Sequence, residues 1–440
     1  MRRVFIKTYG CQMNEYDSGK MRALLGRDYQ PTEEPADADL IIVNTCAIRE
    51  KPEQKLASFL GTVTPIKKHR PLTVAVAGCV AQLQGAALLK RHPGIDLVFG
   101  PDSVNRVNEL VEASRLRRIV DTEFLEDNSA YPFPSDLDPD AAGKVGAFVT
   151  IQKGCDNKCT FCVVPATRGV EVSRPADQIL DEVRALVDKG VREVTLLGQN
   201  VNSYGLKNEG GLRFAELLRA VHELPGVEIL RYMTSHPRDM GDDVVECYRD
   251  LPKLASHLHL PVQSGSDRVL RRMKRFYGRG RYLDVVAKLR EARPDLVLTT
   301  DIITGFPGET DEDFEQTMQL LEEVRFQGAF SFKFSPRPGT SALRLMDDAV
   351  SDEVASARLD RFQKRQREIL LEEHGRLEGT VQRVLVEGPS AHDEGVVCGR
   401  TSSFKMVNFP EADPKPGTWA DVRILRGFAN TLRGERVGMA

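Results

Sequence analysis

The most informative stretch of this sequence is Gly154-Cys155-Asp156-Asn157-Lys158-Cys159-Thr160-Phe161-Cys162. Its three cysteines are spaced to hold three corners of an iron–sulfur cube, and thiolates are the usual protein ligands of such clusters. The stretch offers no fourth ligand, so one iron would stay open. An open coordination position is what a catalytic metal site requires, and the stretch therefore predicts an enzyme.

Zinc and disulfides are the other common uses of closely spaced cysteines, and both fit less well. A zinc site normally takes a fourth Cys or His close by, whereas the next histidine downstream is His222. Disulfides are disfavoured because 8 Cys in 440 residues is a low density and the first residues lack the apolar core of a signal peptide. We therefore expect reduced thiols and a cytoplasmic protein.

The spacing Cys-X3-Cys-X2-Cys, with Phe161 before the last Cys, resembles the signature of the radical S-adenosylmethionine enzymes. The resemblance implies that the open iron chelates S-adenosylmethionine and that reductive cleavage of this cofactor yields a 5′-deoxyadenosyl radical.

Composition limits the class of protein further. A chain of 440 residues is long enough for two or three domains, and it has no apolar run long enough to span a membrane. The formal net charge of −3 excludes a globally basic protein. Any nucleic acid must therefore be bound by local patches.

Residues 1–120 contain three strand-like apolar runs, which lead to Cys11, Cys46 and Cys79. Helical stretches separate the runs, which predicts a parallel sheet with crossover helices. The strand ends of such a sheet meet at its carboxyl edge, where α/β sheets bind ligands. Free cysteines are often only packing residues, and we interpret Cys247 and Cys398 in that way. Three cysteines at strand ends instead favour a second iron–sulfur cluster.

Residues 121–144 are acidic and rich in proline, as is typical of a linker. Residues 145–375 then alternate strand-like and helical segments in six βα units. A complete TIM barrel has eight, so we predict a partial (β/α)6 barrel that is open on one side to a large substrate. The fold class is α/β.

The carboxyl ends of barrel strands carry the chemistry, and here they are polar or rich in glycine. We expect S-adenosylmethionine to lie across them, on Phe161, Gly198, Gln199, Ser235, Gly305 and Arg337. Lys153, Arg168 and Arg174 flank the cluster motif and are either surface charges or partners of the cofactor carboxylate. His236 is interpreted as structural in preference to a catalytic base, and no catalytic residue is assigned.

One region is conspicuously basic. No acid occurs between Arg268 and Arg281, and Tyr277 and Tyr282 are interleaved, which suits an RNA backbone with stackable bases. A solvated helix face is the alternative. The predicted RNA contacts in this region are Arg271, Arg272, Lys274 and Arg275.

Residues 376–440 contain five short strand-like runs with turn residues between them, the last at 428–432. This pattern predicts a small antiparallel barrel, a fold that often binds oligonucleotides. Arg400, Lys405 and Arg433 are the predicted phosphate contacts, although nearby acids nearly balance them.

Along essentially its whole length the chain resembles the methylthiotransferases, which combine an amino-terminal cysteine domain, a radical S-adenosylmethionine barrel and a carboxy-terminal TRAM domain. The tRNA branch of that family, the MiaB type, is indicated by residues 44–50, 197–205 and 260–267, by Thr8-Tyr9-Gly10-Cys11-Gln12-Met13-Asn14 and by Thr234-Ser235-His236-Pro237. Ala166 is a departure, because the family commonly has tyrosine at this position.

The resemblance implies addition of a 2-methylthio group to N6-isopentenyladenosine immediately 3′ of the tRNA anticodon, after the radical removes hydrogen from adenine C2. It assigns Cys155, Cys159 and Cys162 to the radical-generating [4Fe-4S] cluster. It assigns the triad of Cys11, Cys46 and Cys79 to a second [4Fe-4S] cluster that supplies sulfur. A further S-adenosylmethionine supplies the methyl group. The implied partners of this monomer are the tRNA anticodon stem-loop and an electron donor protein such as flavodoxin or ferredoxin, while the sulfur donor is not indicated.

Three alternatives remain open. The substrate is threonylcarbamoyl-adenosine of tRNA in the first. In the second it is an aspartate of a ribosomal protein, against which residues 199–202 argue. In the third the chain is a non-enzymatic RNA-binding protein that metal stabilises.

Overall fold

The computed structural model describes residues 1–47, 50–125, 131–133, 137–207, 210–391, 393–411 and 413–438. They form three parts in chain order: an amino-terminal sheet, a central open barrel and a small carboxy-terminal barrel. Within these residues, no helix combines the length and the apolar character needed to cross a bilayer.

The amino-terminal part is a six-stranded parallel sheet in the spatial order β2-β1-β3-β4-β5-β6. Its strands are Arg2–Tyr9 (β1), Tyr29–Pro31 (β2), Leu40–Thr45 (β3), Thr73–Ala77 (β4), Leu97–Phe99 (β5) and Ile119–Asp121 (β6). Its helices are Gln12–Leu25 (α1), Glu50–His69 (α2), Cys79–Gln84 (α3), Ala86–Arg91 (α4) and Val107–Ser114 (α5).

Strand β3 shows why helices cover both faces of this sheet. Ile41 and Val43 pack in the core that includes α2, whereas Leu40 and Ile42 pack in the core that includes α1. Successive side chains of a strand point to opposite faces, so a sheet covered on both sides needs a continuous apolar run. The predicted parallel sheet is confirmed.

The central part is built on six parallel strands and the helices between them. The strands are Gly146–Thr150 (β7), Glu193–Leu197 (β10), Ile229–Tyr232 (β11), His257–His259 (β12), Val297–Thr304 (β13) and Ala329–Lys333 (β14), and a short hairpin adds Gln152–Lys153 (β8) and Val172–Ser173 (β9). The helices are Val164–Arg168 (α6), Ala176–Asp188 (α7), Phe214–His222 (α8), Asp242–Asp250 (α9), Asp267–Arg272 (α10), Arg279–Ala292 (α11), Asp311–Val324 (α12) and Asp352–Gly375 (α13).

These six strands form an open arc. Strands β7, β10 and β11 form one hydrogen-bonded group in the order β11-β10-β7, and β12, β13 and β14 form a second in the order β12-β13-β14. The two groups meet where the Ala255 N–H donates to the Leu230 carbonyl at 2.9 Å. No pairing joins β14 back to β7 within the ranges given above. The predicted partial barrel is confirmed.

The carboxy-terminal part is a closed barrel in the order β15-β16-β17-β19-β18. Its strands are Val381–Pro389 (β15), Val396–Thr401 (β16), Met406–Pro410 (β17), Trp419–Gly427 (β18) and Leu432–Arg436 (β19). The pairs are antiparallel except for β17 with β19, which is parallel. The last strand starts later than predicted because Phe428 donates its N–H to the Thr431 carbonyl in a turn.

The segment predicted as a linker is only partly visible, since residues 126–130 and 134–136 lie outside the described ranges. The carboxylate of Asp138 accepts from Arg22 at 2.9 Å, and Ala141 is buried. The described end of this segment is therefore packed against α1.

Candidate iron–sulfur and cofactor site

The first cysteine triad lies on a loop after β8 that backbone contacts fix at both ends. Gly154 has φ of +74°, a conformation that favours glycine, and its N–H donates to Gln199 Oε1 at 2.5 Å. The Thr160 N–H donates to the Met273 carbonyl at 3.0 Å, and its own carbonyl accepts from the Ala342 N–H at 2.8 Å. The loops that end the barrel strands therefore hold the motif in place.

The three thiols on this loop crowd one another. Burial raises the pKa of Cys162 to about 12, and the thiolates of Cys159 and Cys155 add to the rise. Burial also raises the pKa of Cys155. Crowded thiols that are buried or partly buried ionise readily only when a cationic group binds them, so this donor set fits an iron–sulfur cluster. Across the described ranges no three His, Cys, Asp or Glu side chains are placed to hold one metal ion; a cube instead takes each thiolate at a separate iron.

A buried arginine contacts the first triad. The guanidinium of Arg275 donates to Cys159 Sγ at 3.3 Å and to the Pro261 carbonyl at 2.9 Å, and the residue is 5% exposed. The structure thus corrects the prediction that Arg275 contacts RNA, because a buried side chain cannot reach a phosphate. Hydrogen bonds to cluster sulfurs instead influence reduction potential.

The cysteines Cys11, Cys46 and Cys79 meet at the carboxyl edge of the amino-terminal sheet. A hydrogen bond from Cys46 lowers the pKa of Cys11 to about 6. Burial raises the pKa of Cys79, and the Cys11 thiolate raises it further. Asn14 on α1 donates to the Asn44 side chain of β3 at 2.9 Å, which fixes the helix that follows Cys11 against the strand that precedes Cys46.

Arg168 connects the two triads. It lies on α6, directly after the first triad, and donates to Asp17 Oδ2 at 2.7 Å. Although burial opposes it, Asp17 and the thiolates of Cys79 and Cys11 hold the pKa of Arg168 well above its usual range. Both triads therefore border the same contact region between the amino-terminal sheet and the barrel.

Four buried polar atoms near the carboxyl ends of β7, β10 and β11 have no hydrogen-bond partner among the residues that the structure describes. They are Gln152 Oε1, Asn200 Oδ1, Ser235 Oγ and His236 Nε2. Such atoms are rare in folded proteins, and four of them together are typical of a ligand-binding site. The chemistry of the set fits the amino, carboxylate and ribose groups of S-adenosylmethionine. Gly198 leaves room beside them, because a Cβ there would lie 2.8 Å from Gln152 Oε1.

His236 is a neutral donor in this group. Burial, together with the charges of Arg275 and Arg238, lowers the pKa of His236 to about 2. Its Nδ1 accepts from the Arg238 N–H at 3.2 Å, so the ring proton resides on Nε2. A histidine that stays neutral with its proton on Nε2 can donate to a ligand oxygen, while its Nδ1 is already engaged and offers no free basic nitrogen.

The other predicted cofactor residues have different surroundings. Gln199 holds Gly154, Phe161 packs beside Phe306, and Arg337 lies partly exposed after β14. Gly305 has a packing role. Its N–H donates to Glu309 Oε2 at 2.7 Å, and a Cβ there would lie 2.5 Å from the Cβ of Ala355, so this glycine allows α13 to pack closely.

Of the predicted RNA contacts, Arg271, Lys274 and Arg433 are exposed. Arg272 donates to Asp348 at 2.6 Å, and Arg400 donates to Glu387 at 2.6 Å.

Lys405 is not an open phosphate contact. Its ammonium donates to Gln327 in the central part, and burial lowers the pKa of Lys405 to about 8. Tyr282, expected to stack on bases, is buried and donates to the Leu260 carbonyl at 3.0 Å.

Two of the arginine and lysine residues beside the motif belong to buried ion pairs. Lys153 contacts Asp102 at 2.5 Å, and Arg174 contacts Glu182. They are therefore neither surface charges nor partners of the cofactor carboxylate.

Sequence reasoning missed the charge cluster around Glu182. Lys20 contacts the Glu182 carboxylate at 2.7 Å, and the Tyr16 hydroxyl donates to it at 3.1 Å. Helical spacing could have revealed this cluster, because Glu182 falls on the apolar face of the helix that Ile179 and Leu186 form.

Family models match three segments of the chain. The radical SAM superfamily matches residues 149–321, the uncharacterized protein family UPF0004 matches residues 3–100, and the TRAM domain matches residues 375–437. A tRNA-2-methylthio-N(6)-dimethylallyladenosine synthase of Myxococcus xanthus is 49% identical over 100% of this chain and 95% of the relative. The enzyme of the same name from Geobacter metallireducens is 48% identical over 98% of both.

The chain belongs to the tRNA-2-methylthio-N(6)-dimethylallyladenosine synthase family. Its radical SAM domain carries a [4Fe-4S] cluster and S-adenosylmethionine. The solved radical S-adenosylmethionine methyltransferase TsrM from Kitasatospora setae, with cobalamin and a [4Fe-4S] cluster bound, shares this synthase's fold with a TM-score of 0.58 at 15% identity, over 78% of this chain and 74% of that chain. The S-adenosylmethionine radical enzyme OxsB is similar, with a TM-score of 0.55 at 10% identity over 84% of this chain and 62% of that chain.

Cys11 of this synthase is expected to react differently from Cys162 in metal-free protein. Both side chains are partly exposed, but the pKa of about 6 leaves Cys11 as the nucleophilic thiolate at neutral pH, whereas the pKa of about 12 keeps Cys162 as a thiol. Anaerobic alkylation followed by peptide mass spectrometry should show Cys11 labelling rise through about pH 6 while Cys162 stays unlabelled. Labelling of Cys11 that rises only near the pKa of an ordinary thiol, about 8.5, contradicts this.

Proposed function

We propose that this enzyme adds a methylthio group to C2 of N6-isopentenyladenosine, next to the anticodon of tRNA, in the cytoplasm. The observation that carries the proposal is the position of Arg168, which follows one cysteine triad and contacts the other. An adenine C2–H bond has no acidic proton and no leaving group. A radical source and a sulfur source must therefore stand close together, as the two triads do.

When bound, the [4Fe-4S] cluster and S-adenosylmethionine on the first triad supply a 5′-deoxyadenosyl radical, and a second [4Fe-4S] cluster on the other triad supplies sulfur. The chain orients these groups. The neutral His236 offers a hydrogen bond from Nε2, and Arg275 donates to Cys159 at 3.3 Å. Arg168 holds α6 against the edge that bears Cys11 and Cys79.

The partners follow from the same chemistry. The tRNA anticodon stem-loop is the substrate, and exposed Arg433 is a phosphate contact on the small barrel. A protein electron donor reduces the first cluster, an external sulfur source restores the second, and the enzyme acts as a monomer.

Anaerobic assay of the iron-reconstituted protein tests this function. With S-adenosylmethionine, a reductant and tRNA that bears N6-isopentenyladenosine, nucleoside mass spectrometry should detect the 2-methylthio product. Parallel reactions supply tRNA that bears threonylcarbamoyl-adenosine and ribosomal proteins. Methylthiolation only in one of those reactions would overturn the substrate. Absence of 5′-deoxyadenosine despite intact clusters would favour a passive RNA-binding protein.

A further inference from the structure

The turn between α10 and α11 directs neighbouring side chains in opposite directions. Lys274 and Phe276 have φ of +55° and +58°, which non-glycine residues rarely adopt, and both are exposed, Phe276 at 63%. Arg275 between them points inward and donates to Cys159 Sγ. Lys274 and Phe276 thus face solvent on either side of a residue that contacts Cys159.

Thr160 of the cluster loop forms hydrogen bonds with this part of the chain and with a second segment near Ala342. The Arg272 and Met273 carbonyls accept from the Thr160 hydroxyl and N–H at 3.0 Å each, and the Ala342 N–H donates to its carbonyl at 2.8 Å. We define the Thr160 surface as the exposed cationic and apolar residues within three positions of these contacts. They are Lys158, Arg271, Lys274, Phe276, Leu343 and Arg344.

The cations of the Thr160 surface are unusual in this chain. Within the described ranges, no ion pair or side-chain hydrogen bond engages Lys158, Arg271, Lys274 or Arg344. In contrast, Arg268 pairs with Asp313 in the same basic region. Four exposed charges without internal partners, close in the chain to the exposed apolar side chains of Phe276 and Leu343, give the surface both positive charge and apolar area. Apolar area flanked by charged residues is typical of protein docking sites.

We propose that the Thr160 surface docks an acidic one-electron carrier protein that reduces the first cluster. This inference rests on the proposed function, which requires such a donor. One electron leaves the carrier and enters the cluster, and no bond forms or breaks at that step. Because electron transfer weakens steeply with distance, the donor must sit where the cluster is closest to solvent. Cys159 is itself partly exposed, and this turn carries Arg275, which donates to it at 3.3 Å, so a protein seated on the Thr160 surface lies close to this cysteine.

RNA is the competing occupant, since it is also anionic. The position of the second triad disfavours it. Arg168, which follows the cluster loop, contacts the second triad. The Thr160 surface instead adjoins the cluster loop, through the hydrogen bonds of Thr160. A substrate base must lie between the triads, and the Thr160 surface is free for another partner. Transient redox complexes also need only a small interface, below about 1,200 Å².

The test compares two reductants on the Lys274→Glu/Arg344→Glu variant of the reconstituted full chain. Rapid mixing with a reduced acidic flavodoxin, followed by cluster bleaching, should show reduction at least about tenfold slower than in the wild type at low salt. The difference should shrink as salt rises, because the Debye length falls from about 30 Å at 0.01 M to about 3 Å at 1 M. Reduction by dithionite should stay within about twofold, since reversing two rim charges changes small-molecule access little.

The matched control is Arg117→Glu, a charge reversal at an exposed arginine of the amino-terminal part, just after α5, which should leave reduction by the carrier unchanged. Unchanged reduction of the double variant by the carrier, with weakened binding of an anticodon stem-loop, would overturn the proposal and assign the surface to RNA. Equal slowing with dithionite would also overturn it, because the defect would lie in the cluster. Carrier reduction needs no tRNA, so failure of the methylthiolation assay leaves this result intact.

Discussion

A variant in which Cys11, Cys46 and Cys79 are all replaced by alanine is expected to cleave S-adenosylmethionine and yet to yield no 2-methylthio nucleoside. The triad that we propose generates the radical lies on a separate loop that Gln199 and Met273 hold, so it should retain its cluster. Without the thiols at the sheet edge, no sulfur source remains beside the substrate carbon. We expect complete loss of the product, with 5′-deoxyadenosine still formed.

The measurement is paired quantification of 5′-deoxyadenosine and modified nucleoside from one anaerobic reaction, with iron analysis of the variant. Iron content should fall by one cluster. Cys247→Ala is the matched control, because Cys247 is buried in the barrel core and its thiol donates to the carbonyls of Ala215 and Asp243. This control should keep both products. Persistence of the methylthio product in the triple variant would place the sulfur source elsewhere.

The strand-end cysteines show what sequence can predict about this site. A cysteine directly after an apolar β-strand in a parallel sheet is carried to the carboxyl edge by topology alone. Cys11, Cys46 and Cys79 come together because β1, β3 and β4 are also neighbours in the sheet, an order that the strand pattern alone does not fix. The same argument predicted the loops that present Gln199 and Ser235.

The sequence did not predict which charged side chains of the site are buried. Arg275 and Lys274 are neighbours in one basic run, yet one touches a cluster ligand and the other faces solvent. The two side chains point in opposite directions because of the φ angles of this turn. Positive φ angles are rare for residues other than glycine, so the residue types gave no indication of them. Tyr282 was misjudged for a related reason, because its hydroxyl finds a buried carbonyl partner in the barrel.

Replacing Glu182 with glutamine is expected to destabilise the protein by about 3–5 kcal/mol, the typical cost of breaking a buried ion pair. The Glu182 carboxylate faces Lys20 and Arg174, and all three side chains are buried. Glutamine keeps the shape but removes the negative charge, so two cations would remain without compensation. Urea denaturation should show a lower midpoint for this variant.

Asp181→Asn provides the control on the same helix. Asp181 contacts Arg184 at 2.6 Å, but both side chains are largely exposed, and such pairs contribute about 0–1 kcal/mol. The substitution of Glu182 should also affect activity. Lys20 belongs to α1, the helix that begins directly after Cys11. Loosening its contact with the barrel should reduce the methylthio product more than 5′-deoxyadenosine. Equal stability of the two variants would mean that the charges around Glu182 reach solvent. The contact between the amino-terminal sheet and the barrel would then depend on apolar packing.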